Sequence, residues 1–150
     1  MRNLLIVSPA AVQTKVLEAR HYEYVNKKQI LIIEHNDDLR EIVQLSLELV
    51  TNWDIITASS VAEGLTLATS TQPLAILLSV SMPNMTEFNT FQEIKANRET
   101  NNIPVILMAD RVRLADQFHF TQQGVAAVVV TPSDPVDLAM QISKVLSIKN

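Results

Sequence analysis

Five short runs of apolar, largely β-branched residues constrain this chain more than anything else in it. They are Gln29 to Glu34, Trp53 to Ala58, Leu74 to Val80, Pro104 to Ala109 and Ala126 to Thr131. Each is nearly continuous rather than alternating. That pattern marks strands buried on both faces, hence a parallel sheet with helices on each side. Helix-like segments separate the runs, so strand and helix alternate five times. The fold class predicted is α/β, a doubly wound five-stranded parallel sheet. In such a sheet, sites form at the carboxyl ends of the strands. Ile76-Leu77-Leu78 leads into Ser79 and then a loop containing Pro83, so the third strand points to a candidate site with a serine at its centre.

The helices carry their own start and stop signals. Asp37 or Asp38 is expected to cap a helix from about Leu39 to Val50, with Asp38 and Glu41 in capping-box spacing. Ser60 and Glu63 repeat that spacing for a helix reaching about Thr69. Gly64 lies inside it at a cost of about 0.5–1 kcal/mol relative to alanine, and reads as tolerated or as a point of close packing. A third helix is expected from about Glu87 to Ala96, with Phe88, Phe91 and Ile94 on one side. Pro104 suits only the first position of its strand. Arg111 to Gln123 reads as a helix ended by Gly124. Asp134-Pro135 opens the last helix, running to about Ile148, with a cap and a first-turn proline.

Residues 1–28 stand apart from residues 29–150. Leu4 to Val7 reads as a short strand; Ser8-Pro9 is a helix start for Ala10 to Val25. The apolar periodicity there is imperfect, and three readings stay open: a helix covering part of the main domain, an arm for dimerisation or docking, or a disordered start. Lys27-Lys28 marks the boundary.

Composition closes off several functions. One domain is the prior for 150 residues. With no cysteine, disulfides and thiolate metal sites are excluded. His21, His35 and His119 have no zinc spacing. The net charge of −4, without basic blocks, argues against nucleic acid as a partner. The apolar run before Ser8 is shorter than the roughly seven residues a secretory signal needs. No run approaches the ~18 apolar residues of a membrane helix. The expectation is a cytoplasmic protein with no membrane contact.

The segments ILIIEHNDDLRE, ILLSVSMPNMTEF, KANRETNNIPVILMA and GVAAVVVTPSDPVDL together carry a resemblance. They resemble the first strand and acidic turn, the third strand and loop, the passage into strand four, and the last strand and loop of a response-regulator receiver domain. In that family the second segment usually reads ILLDVMMPGMDGF and the fourth GADDYLTKPFDPDEL. The resemblance covers about four-fifths of the chain, from Gln29 to Ile148. It implies the flavodoxin-like, CheY-like (βα)5 receiver fold of bacterial two-component signalling, preceded here by an N-terminal helical segment.

The family's chemistry, as the resemblance implies it, needs an acidic pair after strand one to hold Mg²⁺. It also needs an aspartate ending strand three as phosphoacceptor, a hydroxyl ending strand four, a lysine ending strand five and an aromatic on strand five. Mapped by motif, this chain has Glu34 and His35, then Ser79, Ala109, Thr131 and Val128 at those positions. Mg²⁺ wants carboxylate and water oxygens, and imidazole suits softer ions. A serine hydroxyl needs a base to act as a nucleophile. His35 is the conceivable base, but no cation remains at the mapped positions to stabilise a transferring phosphoryl group. Thr131-Pro132 keeps the family's turn.

The reading is therefore a degenerate pseudo-receiver: not an enzyme, without cofactor, with no metal and no Mg²⁺ binding expected. It would act as a phosphorylation-independent protein-interaction module. Its expected partner is another signalling protein (a histidine kinase, a regulator or an output protein), with a homodimer as a further option. The surface implied by the family lies on helix four, strand five and helix five, with Arg111, Arg113, Phe118, Phe120 and Asp134 as candidate contacts, although Phe118 or Phe120 reads as core sooner than as contact. Output is expected from a partner or a longer protein, because no DNA-binding or catalytic segment follows Asn150. Two alternatives stand beside this reading. One is small-molecule or anion sensing through the emptied pocket; the other is residual phosphorelay.

Overall fold

The computed structural model describes residues 10, 13, 28–80, 88–110, 114–131 and 134–149. Five strands, β1 (Gln29–Ile33), β2 (Asp54–Ala58), β3 (Ala75–Ser79), β4 (Val105–Ala109) and β5 (Ala127–Val130), form one sheet in the order β2-β1-β3-β4-β5. Every neighbouring pair is parallel. Helices α1 (Asp37–Val50), α2 (Val61–Thr71), α3 (Phe88–Ala96), α4 (Leu114–Gln122) and α5 (Pro135–Lys149) complete the alternation.

The apolar runs are continuous because both faces of the sheet are covered. One core gathers Ile30, Ile32, Leu77, Ile106 and Met108 with Val43 and Leu47 of α1 and Leu138, Ile142 and Val145 of α5. The other gathers Leu31, Ile33, Leu78, Leu107 and Ala109 with Ala68 of α2, Phe91 and Ile94 of α3 and Phe120 of α4. Successive strand residues point to opposite faces, so both sets must be apolar. Full burial of each large side chain is worth about 1.5–3 kcal/mol.

The strands are each shorter than the apolar runs. Trp53, Leu74, Pro104 and Ala126 fall outside the ladder; Trp53 is buried in the first core all the same. The first helix is capped differently from expectation. Asn36, not Asp37 or Asp38, is the N-cap, and its side-chain oxygen accepts from Leu39 N at 2.9 Å. Asp37 and Asp38 lie inside the first turn, where negative charge complements the helix dipole. Ser60 caps α2 as expected, accepting from Glu63 N at 3.1 Å. Asp134 Oδ1 caps α5, accepting from Val136 N at 2.8 Å.

Two chain reversals need the left-handed region. Gly124, just after α4, has φ +101° and takes the role read for it. Gln72, at the end of α2, has φ 50°, and its amide Nε2 donates to the carbonyl of Glu99 at 2.9 Å. That bond ties the α2 end to the turn after α3. The strand from Leu4 to Val7, most of the Ala10–Val25 helix, the loop through Pro83, the start of the helix at Arg111 and the turn at Pro132 lie outside the described residues. Ala10 and Gln13 are helical and exposed.

Candidate functional site

The register fixes what meets at the carboxyl edge of the sheet. Ile33 pairs with Leu78, and Leu78 with Leu107. One step further, Glu34 follows β1 and Ser79 ends β3, with Ser79 opposite Met108. The ladder outlasts the strands: Glu34 N donates to Ala58 O at 3.0 Å, and Thr131 N to Ala109 O at 2.8 Å. Alternation therefore still holds at these residues. Glu34, Ser79 and Thr131 lie two positions beyond Ile32, Leu77 and Val129, all on the α1–α5 side of the sheet. Ala109 belongs to the opposite core. So Glu34, Ser79 and Thr131 share one side of the sheet end, and Ala109 lies on the other.

Glu34 is the dominant charge of the site and is buried. Its Oε2 accepts from Asn36 N at 3.0 Å and stands 3.4 Å from Nδ1 of His35. Its Oε1 is buried with no hydrogen-bond partner. Leaving such a group unpaired costs about 1–3 kcal/mol or more. The His35 side chain is 72% exposed.

Arg40 is close by but committed elsewhere. It donates from Nη1 to the Glu34 carbonyl at 2.9 Å and from Nη2 to Asp37 Oδ1 at 2.7 Å. It thus clamps the turn after β1 from the first helix. The Thr131 hydroxyl is buried and donates to the Ala109 carbonyl at 3.5 Å. Val128 is half-buried against the second core. Among the described residues no cluster of three or more His, Asp or Glu side chains could hold a metal ion.

The two expected aromatic contacts separate. Phe120 is 1% exposed and is a core residue, so it is no surface contact. The helix face that carries it packs under β4 with Phe91 and Val125. Phe118 is 65% exposed on the other face of α4. Asp134 is exposed and engaged as the α5 cap. Arg111 and Arg113 lie outside the described residues. Asn36 and Arg40, which shape the turn around Glu34, were not singled out by sequence. An Asx residue just before a helix, in the turn that follows a strand, was the available signal for Asn36.

Residues 30–143 match the sequence model of the response regulator receiver domain. The chain belongs to this family. It is a receiver domain of two-component signalling, and receiver domains are in general not enzymes. A response regulator from Desulfuromonas acetoxidans superposes with a TM-score of 0.71 at 22% identity, covering 81% of this receiver and 98% of that chain. The chemotaxis protein CheY4 of Vibrio cholerae gives 0.70 at 19%, covering 79% and 98%. These likenesses establish the flavodoxin-like receiver fold.

The sequence relatives add a different kind of information. This receiver is 28% identical over 122 residues to the probable transcriptional regulator ycf27 of Cyanophora paradoxa, covering 81% of the chain and 49% of the relative. It is 24% identical over 118 residues to the DNA-binding dual master transcriptional regulator RpaA of a Synechocystis species, covering 79% and 48%. The chain thus spans about half the length of these relatives. Their names overturn the expectation that nucleic acid has no part: one is itself DNA-binding. The net charge of the chain is not informative here, since the match spans only part of each relative. Among the described residues no helix is long and apolar enough to cross a membrane.

Proposed function

We propose that this receiver works without an aspartyl phosphate and passes its signal through contact with another protein. One observation carries the reading: the polar residue that ends β3, beside the buried Glu34, is Ser79. A hydroxyl there cannot form an acyl phosphate. Mg²⁺ commonly takes one or two carboxylates with phosphate and water. Here the sole buried carboxylate, among the described residues, is that of Glu34. Neither lysine nor arginine occupies the ends of β3, β4 or β5 at Ser79, Ala109 and Thr131, so a transferring phosphoryl group would go unstabilised. On this reading the domain is neither enzyme nor Mg²⁺-binding.

The test is direct. The protein is titrated with Mg²⁺ and beryllofluoride, then acetyl phosphate, while amide resonances are followed by NMR. Unchanged resonances at Glu34, Ser79 and Thr131 are expected. Saturable shifts at those positions would sink the proposal.

The names of the relatives favour a second reading, about output. We infer that the receiver takes part in transcriptional control, with DNA among the partners of the protein that carries it. Chromatin immunoprecipitation of the tagged native protein should enrich specific promoter DNA; recovery no greater than that of an untagged strain would remove this reading.

A further inference from the structure

The end of α1 and the outer side of α5 enclose a groove of about 520 Å³. Val50, Thr51, Val136, Ala139, Met140 and Lys144 help to line it, and Val50, Val136 and Met140 are exposed there. Glu41 and Leu45 take no part. They line a separate polar groove on the opposite flank of α1, beside Thr57 of β2. Helical phase puts Ile42 and Leu49, both exposed, on the same flank as Val50. Exposed apolar side chains gathered on one face mark a docking site.

We propose that this groove is filled by the chain's own N-terminal segment, docked as a helix over residues 10–25. Ala10 and Gln13 are helical. In a helix continued from them, Val12, Val16 and Ala19 share one side. Ala10 and Gln13 are exposed and fall outside that stripe. Such a helix is about 24 Å long, enough to follow α5 from Val136 to Ser147, a span of about 16 Å. The short side chains of the stripe suit a narrow groove between two helices.

The connection to the domain selects this segment over a separate partner. The Lys28 carbonyl accepts from Asp54 N at 2.7 Å, so Lys28 sits at the sheet edge where β1 and β2 begin. Helices α1 and α5 run against the strands and end at that same edge. Val25 is three residues before Lys28 and lies within about 10 Å of it. A tether that short holds the segment near the groove at a local concentration on the order of millimolar. It also fixes polarity: a helix in the groove that ends beside Lys28 runs the same way as α5.

The charges agree with that polarity. Lys144 lines the groove, and Asp137 lies two helical turns before it on the same flank of α5; both are exposed. Lys15 and Glu23 border the apolar stripe of the segment in the opposite order of sign and at nearly the same spacing. A segment running the same way as α5 sets Lys15 against Asp137 and Glu23 against Lys144. The reverse direction would set like charges together.

The absence of cysteine makes a clean experiment available in the full chain. The double variant Ala19→Cys/Met140→Cys is oxidised mildly at micromolar concentration. A disulfide within one chain is expected, formed about tenfold or more faster than in Ala19→Cys/Glu99→Cys, because Glu99 lies in the turn after α3 on the other side of the sheet. Adding Glu23→Lys should slow the reaction, and adding Lys144→Glu as well should restore it. In the chain without added cysteines, Val16→Glu should move the amide resonances of Val50, Ala139 and Met140 and leave those of Val129 and Phe118 in place. Equal rates for the two cysteine pairs overturn the proposal, as do groove resonances unmoved by Val16→Glu. A product of doubled mass, linking two chains, overturns it too.

Discussion

Gly64 of α2 lies so close to Ile33 of β1 that a β-carbon at position 64 would stand 2.5 Å from Ile33 Cδ1 and 2.8 Å from its Cγ1. Ile33 is the last residue of β1, directly before Glu34, and is 4% exposed. It has little room to turn aside, because Leu78 and Ala58 flank it in the sheet. The glycine lets α2 sit against the strand that positions Glu34.

Gly64→Ala therefore sets two effects against each other. Alanine favours the helix by about 1 kcal/mol, while forcing a methyl group into a filled core costs about 1–3 kcal/mol. The clash is expected to win, with a net loss of about 1–2 kcal/mol measured by urea unfolding. Ile33→Val removes Cδ1, the nearest atom, so the double variant should recover part of that loss. Strict additivity of the two changes would show that the contact does not couple them.

The N-terminus of α1 supplies a second prediction, with opposite expectations for neighbouring residues. Asn36→Ala removes the acceptor for Leu39 N and should cost about 1 kcal/mol in chemical denaturation. Asp38→Ala touches no cap and should cost only a few tenths through the lost dipole interaction. Equal losses would return the capping role to the aspartates.

How legible this receiver was follows from the kind of signal each part carries. The five strands were visible because a sheet covered on both faces must be apolar at every position, and the Ser60 and Asp134 caps because their spacing is local. The Gly64 contact was open as one of two alternatives, and only the packing of Ile33 decides it. Asn36 was overlooked since three consecutive Asx residues offer the same hydrogen-bond chemistry, and the choice among them depends on where β1 releases the chain. Phe118 and Phe120 have the same composition and differ only in helix phase. The Glu34 carboxylate, with one oxygen bonded and the other orphaned, depends on a turn geometry shaped by Arg40 that no spacing rule describes. The proposal that DNA is a partner rests on the names of relatives about twice as long as the matched segment, not on a signal within these 150 residues.

Ser79 and Glu34 provide the last prediction. Adjacent strands deliver both residues to one side of the sheet end, and Glu34 already holds a buried oxygen without a partner. Ser79→Asp would place a second carboxylate beside it. Two like charges in a poorly solvated site disfavour each other's ionised form, so the variant should be about 1–3 kcal/mol less stable than wild type near neutral pH. A hard divalent cation relieves that repulsion by binding both carboxylates. Millimolar Mg²⁺ should thus raise the melting temperature of Ser79→Asp by several degrees and leave the wild-type melt where it is. A wild-type protein stabilised by Mg²⁺ as much as the variant would show that Glu34 alone suffices to hold the ion, and the proposed loss of metal binding would have to be withdrawn.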